Sequence, residues 1–433
     1  MHTVIASIVS VVLSATALGP FQVQPGFSGT SLAIAPASAF VGGLAPMPGG
    51  HLAMFDGSSV VEIDPATGVI VRVMFTPAAF TFGSFLALDP TSTFLVFGES
   101  SNGTLTRIPL DGSPASHLAT VQFNYDGAFD AGGALFVAHG NVTFTGTNLV
   151  RIDVDTGAVQ TIASLPGPSG PIAIDGAGNV LYGVNSPAFP APPGSGSIVA
   201  FSAAQVAGAP AGGVLTDADA QVLVNGLNAV SDLVVDAEGD WIVSDSIYGT
   251  VTEFEANGVV ASILGVPTAA NVSVTYLAFV DDGATHAATF DAFQPAAGGE
   301  LAAIVSDFAT TNELHSIRPQ RAEFEVLPTN PVPIGPFTVT LERAPEQGLA
   351  MLFAAAASSS NDAIVLVGDV PLFFALLPPT LVQLGVVPLD SGGAVSLPAS
   401  NPGVGASIAV QAVVFDATLT ARGTSQVLDL GLQ

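Results

Sequence analysis

The 433-residue sequence predicts an all-β protein, a six-bladed β-propeller followed by a small β-sandwich domain. Two turn motifs predict the propeller, because each recurs at the spacing of one four-stranded blade. The repeat ends near residue 321, and a Pro-rich linker (322–336) leads into alternating short strands at 337–433, a pattern typical of a sandwich. The 47 glycines and 32 prolines agree with many short strands and turns.

The first motif is an aspartate at the turn between the first two strands of a blade. It ends an apolar segment, and a second apolar segment follows, at Asp89, Asp130, Asp175, Asp236 and, more loosely, Asp281. The intervals are 41, 45, 61 and 45 residues. The long interval contains Pro/Gly/Ala-rich stretches at 187–196 and 203–213, which we predict to be loops. We interpret the aspartates as turn-forming residues.

The second motif is a glycine turn between the outer strands of a blade. The turns ending at Gly68 and Gly157 read IDPATG and IDVDTG, and Gly112 and Gly258 mark the same turn elsewhere. Together the two motifs predict a propeller domain at 20–321. Its predicted blades are 44–76, 82–121, 123–165, 168–224, 226–265 and 272–320. Residues 31–35 form a candidate strand that would close the ring by pairing with the last blade.

The most regular repeat, DLVVDAEGDWIVSDS followed by YGTVTEFEANG within residues 226–265, resembles an NHL-type repeat. The IDPATG and IDVDTG turns are similar to those of related bacterial propellers. This resemblance covers about 280 residues and implies a fold rather than an activity. Residues 337–433 resemble the Leu/Pro/Gly-rich C-terminal domains of secreted bacterial proteins, a likeness that implies surface retention or sorting.

Composition excludes several classes of function. The chain has 35 acidic and seven basic residues, for a net charge of −28, which opposes binding to nucleic acid or anionic membranes. It has no cysteine, so disulfides, thiolate nucleophiles and cysteine metal sites are excluded. We expect a monomer.

The N-terminal segment is typical of an export signal. Residues 4–18 are apolar, and Ala15-Thr16-Ala17 fits a small-x-small cleavage site, although Met1-His2-Thr3 lacks a basic residue. We predict a signal peptide at 1–19 and a secreted, periplasmic or cell-surface protein. The uncharged stretch 370–389 contains four prolines, so we expect strands there and no membrane insertion of the mature chain.

A polar residue ends the second strand of every predicted blade. Because the first strand begins at the same rim, we expect Asp126 to face His139 and Asp232 to face Asp245. The predicted ligand-binding residues are Asp126, His139, Asp232, Asp245, Glu99 and Asn185. Asp126, Asp232 and Asp245 are candidate ligands of Ca²⁺, because hard cations prefer carboxylate oxygens. The alternative is that the rim aspartates only bond backbone amides of neighbouring turns.

Two classes of function follow. The main prediction is an exported, non-catalytic propeller that binds an extracellular carbohydrate, peptide or cell-surface partner, with the C-terminal domain as a surface-retention or spacing module. The alternative is a divalent-metal-dependent hydrolase resembling the gluconolactonase and strictosidine-synthase-like propellers. That resemblance implies a metal at the channel mouth held by a Glu and an Asn/Asp set, and residues 44–60 lack the corresponding Glu motif.

Overall fold

The computed structural model describes a large part of the chain. The described residues are 21–23, 27–35, 40–188, 192–236, 239–245, 249–254, 260–267, 272–280, 300–307, 312–319, 323–327, 335–342, 349–355, 358–367, 370–376, 382–390, 394–401, 407–415, 421–424 and 428–431. The predicted signal peptide (1–19), the turn glycine Gly258 and the last motif aspartate, Asp281, lie outside them. One compact unit covers Ala17–Val23 and Gly29–Arg318, and a second covers Pro319–Gln433 with two N-terminal segments.

The first unit is the predicted propeller, with six antiparallel sheets among the described residues. Two N-terminal strands, β1 (Phe21–Val23) and β2 (Phe27–Ala33), precede the first complete blade. Blades 1 to 3 are β3 (Gly42–Met47), β4 (His51–Phe55), β5 (Val60–Ile63), β6 (Ile70–Phe75); β7 (Gly83–Leu88), β8 (Phe94–Glu99), β9 (Thr104–Pro109), β10 (Ser116–Thr120); and β11 (Asn124–Phe129), β12 (Leu135–Gly140), β13 (Gly146–Ile152), β14 (Val159–Pro166).

The remaining blades follow the same order. Their strands are β15 (Ile172–Ile174), β16 (Val180–Val184), β17 (Gly196–Phe201), β18 (Gln221–Leu227); β19 (Val230–Val235), β20 (Trp241–Asp245), β21 (Val251–Phe254), β22 (Val260–Pro267); and β23 (Ser273–Val280), β24 (Glu300–Ser306), β25 (Asn312–Pro319). The first strands β3, β7, β11, β15, β19 and β23 contact one another in a closed ring around the central channel.

The N-terminal strands complete the last two blades. Strand β2 lies beside β25 as the outermost strand of the sixth sheet, which is the ring closure predicted for this segment, although the strand begins at Phe27 rather than Ser31. Strand β1 adds a fifth strand to the fifth sheet, and Phe21 pairs with Pro267. The chain therefore closes its ring with strands from both ends of the propeller.

The aspartate turns form as the sequence indicates. Carboxylate oxygens of Asp89, Asp130 and Asp175 accept backbone N–H groups on the far side of their turns, at 2.7 to 2.8 Å. The glycine turns adopt positive φ, and Gly157 lies so near the Leu118 carbonyl that a Cβ would come within 2.4 Å of it. The interpretation of these residues as turn formers is confirmed.

One predicted loop is a helix. Residues Ala203–Gly212 form α1, and a short 3₁₀ turn follows at Asp217–Asp219. Ser202 and Gln205 form a capping box at its start, and Val206 and Ala209 are buried in an apolar core shared with the third and fourth blades, where the helix contacts β14. The loop prediction was wrong because this burial, together with the cap, outweighs the local Gly and Pro content.

The second unit contains three groups of strands. The strands are β26 (Glu323–Leu327), β27 (Gly335–Glu342), β28 (Leu349–Ala355), β29 (Ser358–Val367), β30 (Val370–Leu376), β31 (Val382–Pro388), β32 (Val395–Asn401), β33 (Ser407–Phe415), β34 (Ala421–Thr424) and β35 (Leu428–Gly431). The sheet orders are β26-β27-β32 and β31-β28-β33-β34, with β35 also on β33, while β29 pairs with β30. Leu341 of the first sheet shares an apolar core with Ala350 and Ala412 of the second.

The predicted linker at 322–336 is partly strand, because the alternating sequence EFEVL pairs as β26 with β27. Within the stretch 370–389, Val370–Leu376 forms β30 and Val382–Pro388 forms β31, so these parts are strands as expected. Within the described part of the chain, no helix has the length and apolar character needed to cross a membrane.

Candidate functional site

The inner strands of the propeller enclose a cavity of about 330 Å³ in the central channel. Its polar side chains belong to Asp126 on β11, Asp232 on β19 and Tyr276 on β23. The other residues that line the cavity are apolar or glycine. Two carboxylic acids therefore face one small and mostly apolar space.

A repeated irregularity in strand pairing places these side chains in the channel. In five blades the pairing register between the first and second strands shifts by one residue near the start of the first strand. The residues that follow the shift are Leu44, Phe85, Asp126, Asp232 and Tyr276, and each lines the cavity. Such bulges redirect side chains, so this position is the inward-facing one of each blade.

Each of the two aspartates joins its blade to the next one. Asp126 Oδ1 accepts the Gly127 N–H and its Oδ2 accepts the Ile172 N–H of the fourth blade, both at 2.8 Å. Asp232 repeats this pattern with the Leu233 N–H at 2.8 Å and the Leu277 N–H of the sixth blade at 2.5 Å. The carboxylates are thereby fixed in orientation at the channel wall.

The two carboxyl groups also affect each other electrostatically. Burial raises the pKa of Asp126 to about 7, against the lowering effect of its two backbone hydrogen bonds. Burial raises the pKa of Asp232 well above its usual range, and the nearby charge of Asp126 raises it further. The ionised form of Asp126 therefore disfavours ionisation of Asp232.

Two tyrosines complete the polar lining of the channel. The Tyr125 hydroxyl donates to the Ser231 carbonyl at 3.1 Å, so this side chain reaches from the third blade to the fifth. Burial raises the pKa of Tyr125 and of Tyr276, and the charges of Asp126 and Asp232 add to both shifts. Sequence reasoning missed both tyrosines, although two of the chain's four tyrosines stand near the starts of first strands.

Three of the other predicted site residues lie away from the cavity and hold loops or blades together. Asn102 donates to Glu99 at 2.8 Å within one turn. The Asn185 side chain bonds both the N–H and the C=O of Val230, which ties the fourth blade to the fifth. Asn228 donates to Asp245 at 2.8 Å, and Asp245 does not line the cavity.

His139 does not pair with Asp126. Across the hairpin Asp126 lies opposite Ala138, and His139 lies opposite Asn124 and Asn148. Burial lowers the pKa of His139, so the imidazole is neutral at pH 7. In the fifth blade, Asp232 likewise lies opposite Ser244 rather than Asp245. The expected facing pairs are therefore wrong, because Asn124 and Val230 occupy the positions opposite His139 and Asp245.

The channel does not fit a preformed divalent-metal centre. Both oxygens of Asp126 and of Asp232 already accept backbone N–H groups, whereas Ca²⁺ takes six to eight oxygen ligands. The three described acidic side chains that lie within 4.8 Å of one another are Asp236, Asp240 and Glu253, outside the cavity. The described residues thus give the channel two carboxylates and no third acidic or histidine ligand.

Comparisons with known proteins concern the fold. No protein-family model and no curated protein matches the chain. Similar solved structures include regucalcin, a calcium-binding protein of Agrobacterium tumefaciens, at 16% identity and TM-score 0.48 over 67% of this chain and 95% of that one. A gluconolactonase of Xanthomonas campestris is 19% identical with TM-score 0.47 over 70% and 93%. A luciferin-regenerating enzyme is 12% identical with TM-score 0.48 over 67% and 95%.

The main prediction of a non-catalytic binding or scaffold protein is corrected. The similar propellers include gluconolactonases and a luciferin-regenerating enzyme, which are enzymes rather than non-catalytic scaffolds. Likeness of this degree describes a fold and transfers no activity. Any activity must therefore be argued from the channel residues themselves.

Proposed function

We propose that the protein is a hydrolase of esters or lactones that uses Asp126 and Asp232 as an acid–base pair. The observation that carries this proposal is that two buried carboxyl groups line one cavity, where burial raises the pKa of both and the charge of Asp126 raises that of Asp232 further. Carboxyl groups with separated, raised pKa values are typical of acid–base sites. Their fixed orientation by backbone N–H groups supports a preorganised site.

The proposed reaction requires the pair to hold one proton. The ionised carboxylate takes a proton from water while the water oxygen bonds to the carbonyl carbon of the substrate. The protonated partner gives its proton to the leaving alkoxide oxygen as the C–O bond breaks, so the products are a carboxylic acid and an alcohol. The pair again holds one proton after turnover, with the roles of the two aspartates exchanged. Positioned acid–base groups contribute roughly 10²- to 10⁴-fold to rate.

Initial rates on a panel of esters and lactones test this proposal. We expect Asp126→Asn and Asp232→Asn each to lower kcat at least 100-fold, because each removes a proton donor or acceptor. Asp130→Asn is the matched control: it makes the same change in the third blade, at a turn outside the cavity. We also expect EDTA to leave the rate unchanged. Wild-type inactivity across the panel, or full activity of either channel variant, would overturn the proposal.

We further propose that the chain is exported and monomeric, that its repeats are of the NHL type and that its C-terminal sheets form a sandwich. The apolar N-terminal stretch and the alternating C-terminal strands support these points. N-terminal sequencing of protein recovered outside the cytoplasm tests export. A mature N-terminus near residue 18 or 20 is expected, and retention of Met1 would contradict it.

A further inference from the structure

Six large apolar side chains are exposed on neighbouring loops of the first three blades. They are 36% to 77% exposed and comprise Phe40, Phe80, Phe82, Phe123, Val142 and Phe144. We call this set the phenylalanine rim. Contiguous exposed apolar surface on a soluble protein is often a binding surface.

The loops of the rim adjoin one another at the channel mouth. Within the second blade the Phe82 carbonyl accepts the Ser100 N–H at 2.9 Å, and the side chain of Gln122, beside Phe123, donates to the Asn102 carbonyl of the same turn at 3.1 Å. The Phe123 carbonyl accepts the Gly140 N–H at 3.1 Å, just before the loop that holds Phe144. Phe82 and Phe123 each stand three residues before the cavity-lining residue of their blade, Phe85 and Asp126. The rim therefore lies at the end of the channel where Asp126 is placed.

Part of the rim is held in order by its own rings. Phe82 packs edge-to-face against both Phe40 and Phe80, with ring centroids 4.8 and 5.0 Å apart. Edge-to-face pairs are a preferred arrangement of aromatic side chains. The three rings thus present an ordered apolar surface rather than three independent side chains.

The backbone at two rim positions is unfavourable for a bulky residue. Phe123 and Phe144 have φ of 54° and 55°, a left-handed conformation that glycine adopts without cost. Both rings are also exposed, so burial does not compensate for the strain. Strained positions of this kind concentrate at functional sites.

The rim carries no charge. Phe40 and residues 80–82, 122–123 and 140–145 include no acidic or basic side chain, in a chain with 35 acidic residues. A basic peptide would gain nothing from charges here, and a sugar acid or other polar substrate would meet apolar rings. The surface matches a neutral, apolar chemical group.

The inference from these observations concerns the substrate of the proposed hydrolase and rests on that proposed function. We infer that the phenylalanine rim binds the apolar portion of the substrate, so that the enzyme acts on lipophilic esters or lactones. The acyl chain lies on the rim, and the carbonyl group enters the channel at Asp126 and Asp232. Transfer of a methylene group from water to such an apolar surface is favourable.

The probes are p-nitrophenyl acetate and p-nitrophenyl octanoate, which share a leaving group and differ by six methylenes. We expect wild-type kcat/KM to favour the octanoate at least tenfold, the effect of burying about two methylenes. In a Phe123→Gly/Phe144→Gly variant kcat/KM on the octanoate falls at least tenfold more than kcat/KM on the acetate, whose acyl group is too short to lie on the rim. Because glycine relieves the strain at both positions, Tm is unchanged or higher, which separates substrate binding from a structural role.

Calorimetric binding of N-methyloctanamide, which carries the octanoyl chain without a scissile ester, separates this inference from the proposed function. Binding that the double variant weakens, without ester hydrolysis by wild type, supports the rim and overturns the hydrolase. Hydrolysis with equal kcat/KM on both esters supports the hydrolase and overturns the rim. Concentration-dependent dimers of wild type that the double variant abolishes would assign the surface to a second copy and also overturn the inference.

Discussion

At the scale of residues, Asp126 and Asp232 each have two roles, one in holding neighbouring blades together and one in lining the channel cavity. Each accepts a backbone N–H from the next blade, and each faces the channel cavity. The hydrogen bonds favour the ionised form, while burial favours the protonated form and is the larger effect for both groups. The raised pKa values are therefore a consequence of the channel and not of a missing partner.

This balance predicts how stability depends on pH. The folded-state pKa of Asp126 is about 7 and the model-peptide value is 3.8, so the folded state binds more protons between these values. Its contribution to the free energy of unfolding is full below about pH 4 and is lost as the pH rises to 7. We expect Tm of Asp126→Asn relative to wild type to rise between pH 4.5 and 7.5, measured by thermal denaturation. A constant difference would contradict the shift, and Asp130→Asn serves as the control.

At the scale of elements, the blades are joined by polar side chains at strand ends. Asn185 bonds both backbone groups of Val230, at 2.9 and 2.8 Å, and Val230 is buried. The Ser84 hydroxyl donates to Asn124, which in turn donates to the Glu99 and Val121 carbonyls, so Asn124 ties the second blade to the third. The hydrogen bonds of these side-chain amides explain why polar residues recur at the strand ends of the blades without forming one site.

We expect Asn185→Ala to lower the free energy of unfolding by about 2 kcal/mol, because it leaves two buried backbone groups unsatisfied. Asn185→Asp keeps the acceptor for the Val230 N–H and loses the donor, so its loss should be intermediate. Urea denaturation of the three proteins measures both differences. Equal stability of wild type and Asn185→Ala would show that this contact does not hold the blades together.

The elements also show what the sequence could predict. Turn chemistry is local, so Asp89, Asp130 and the glycine turns indicated the blades. The channel position was not predictable from strand ends, because the register shift that turns Asp126 inward is set by pairing between strands. Helix α1 was missed because its stability comes from burial of Val206 and Ala209 in an apolar core shared with the third and fourth blades, which the local sequence does not show.

At the scale of the whole molecule, the 433-residue chain carries a net charge of −28. Self-repulsion of like charges destabilises a compact state, and salt screens it with a Debye length of about 8 Å near 0.15 M. We expect Tm to rise when NaCl is increased from low millimolar to 0.2 M. Sucrose at equal osmolality is the control for general solute effects. A fall in Tm with added NaCl would contradict this account.

The account as a whole depends on the two channel aspartates acting as a pair, and a pH–rate profile tests this most directly. With ethyl octanoate as substrate, whose ethoxide leaving group needs a proton, kcat of the wild type should rise through about pH 7 as Asp126 ionises and fall at alkaline pH as the pair loses its last proton. Asp232→Asn should lower kcat at least 100-fold across the range, while Asp130→Asn keeps the wild-type profile. A wild-type profile that is flat between pH 5 and 9, or one that Asp232→Asn leaves unchanged, would contradict the pair.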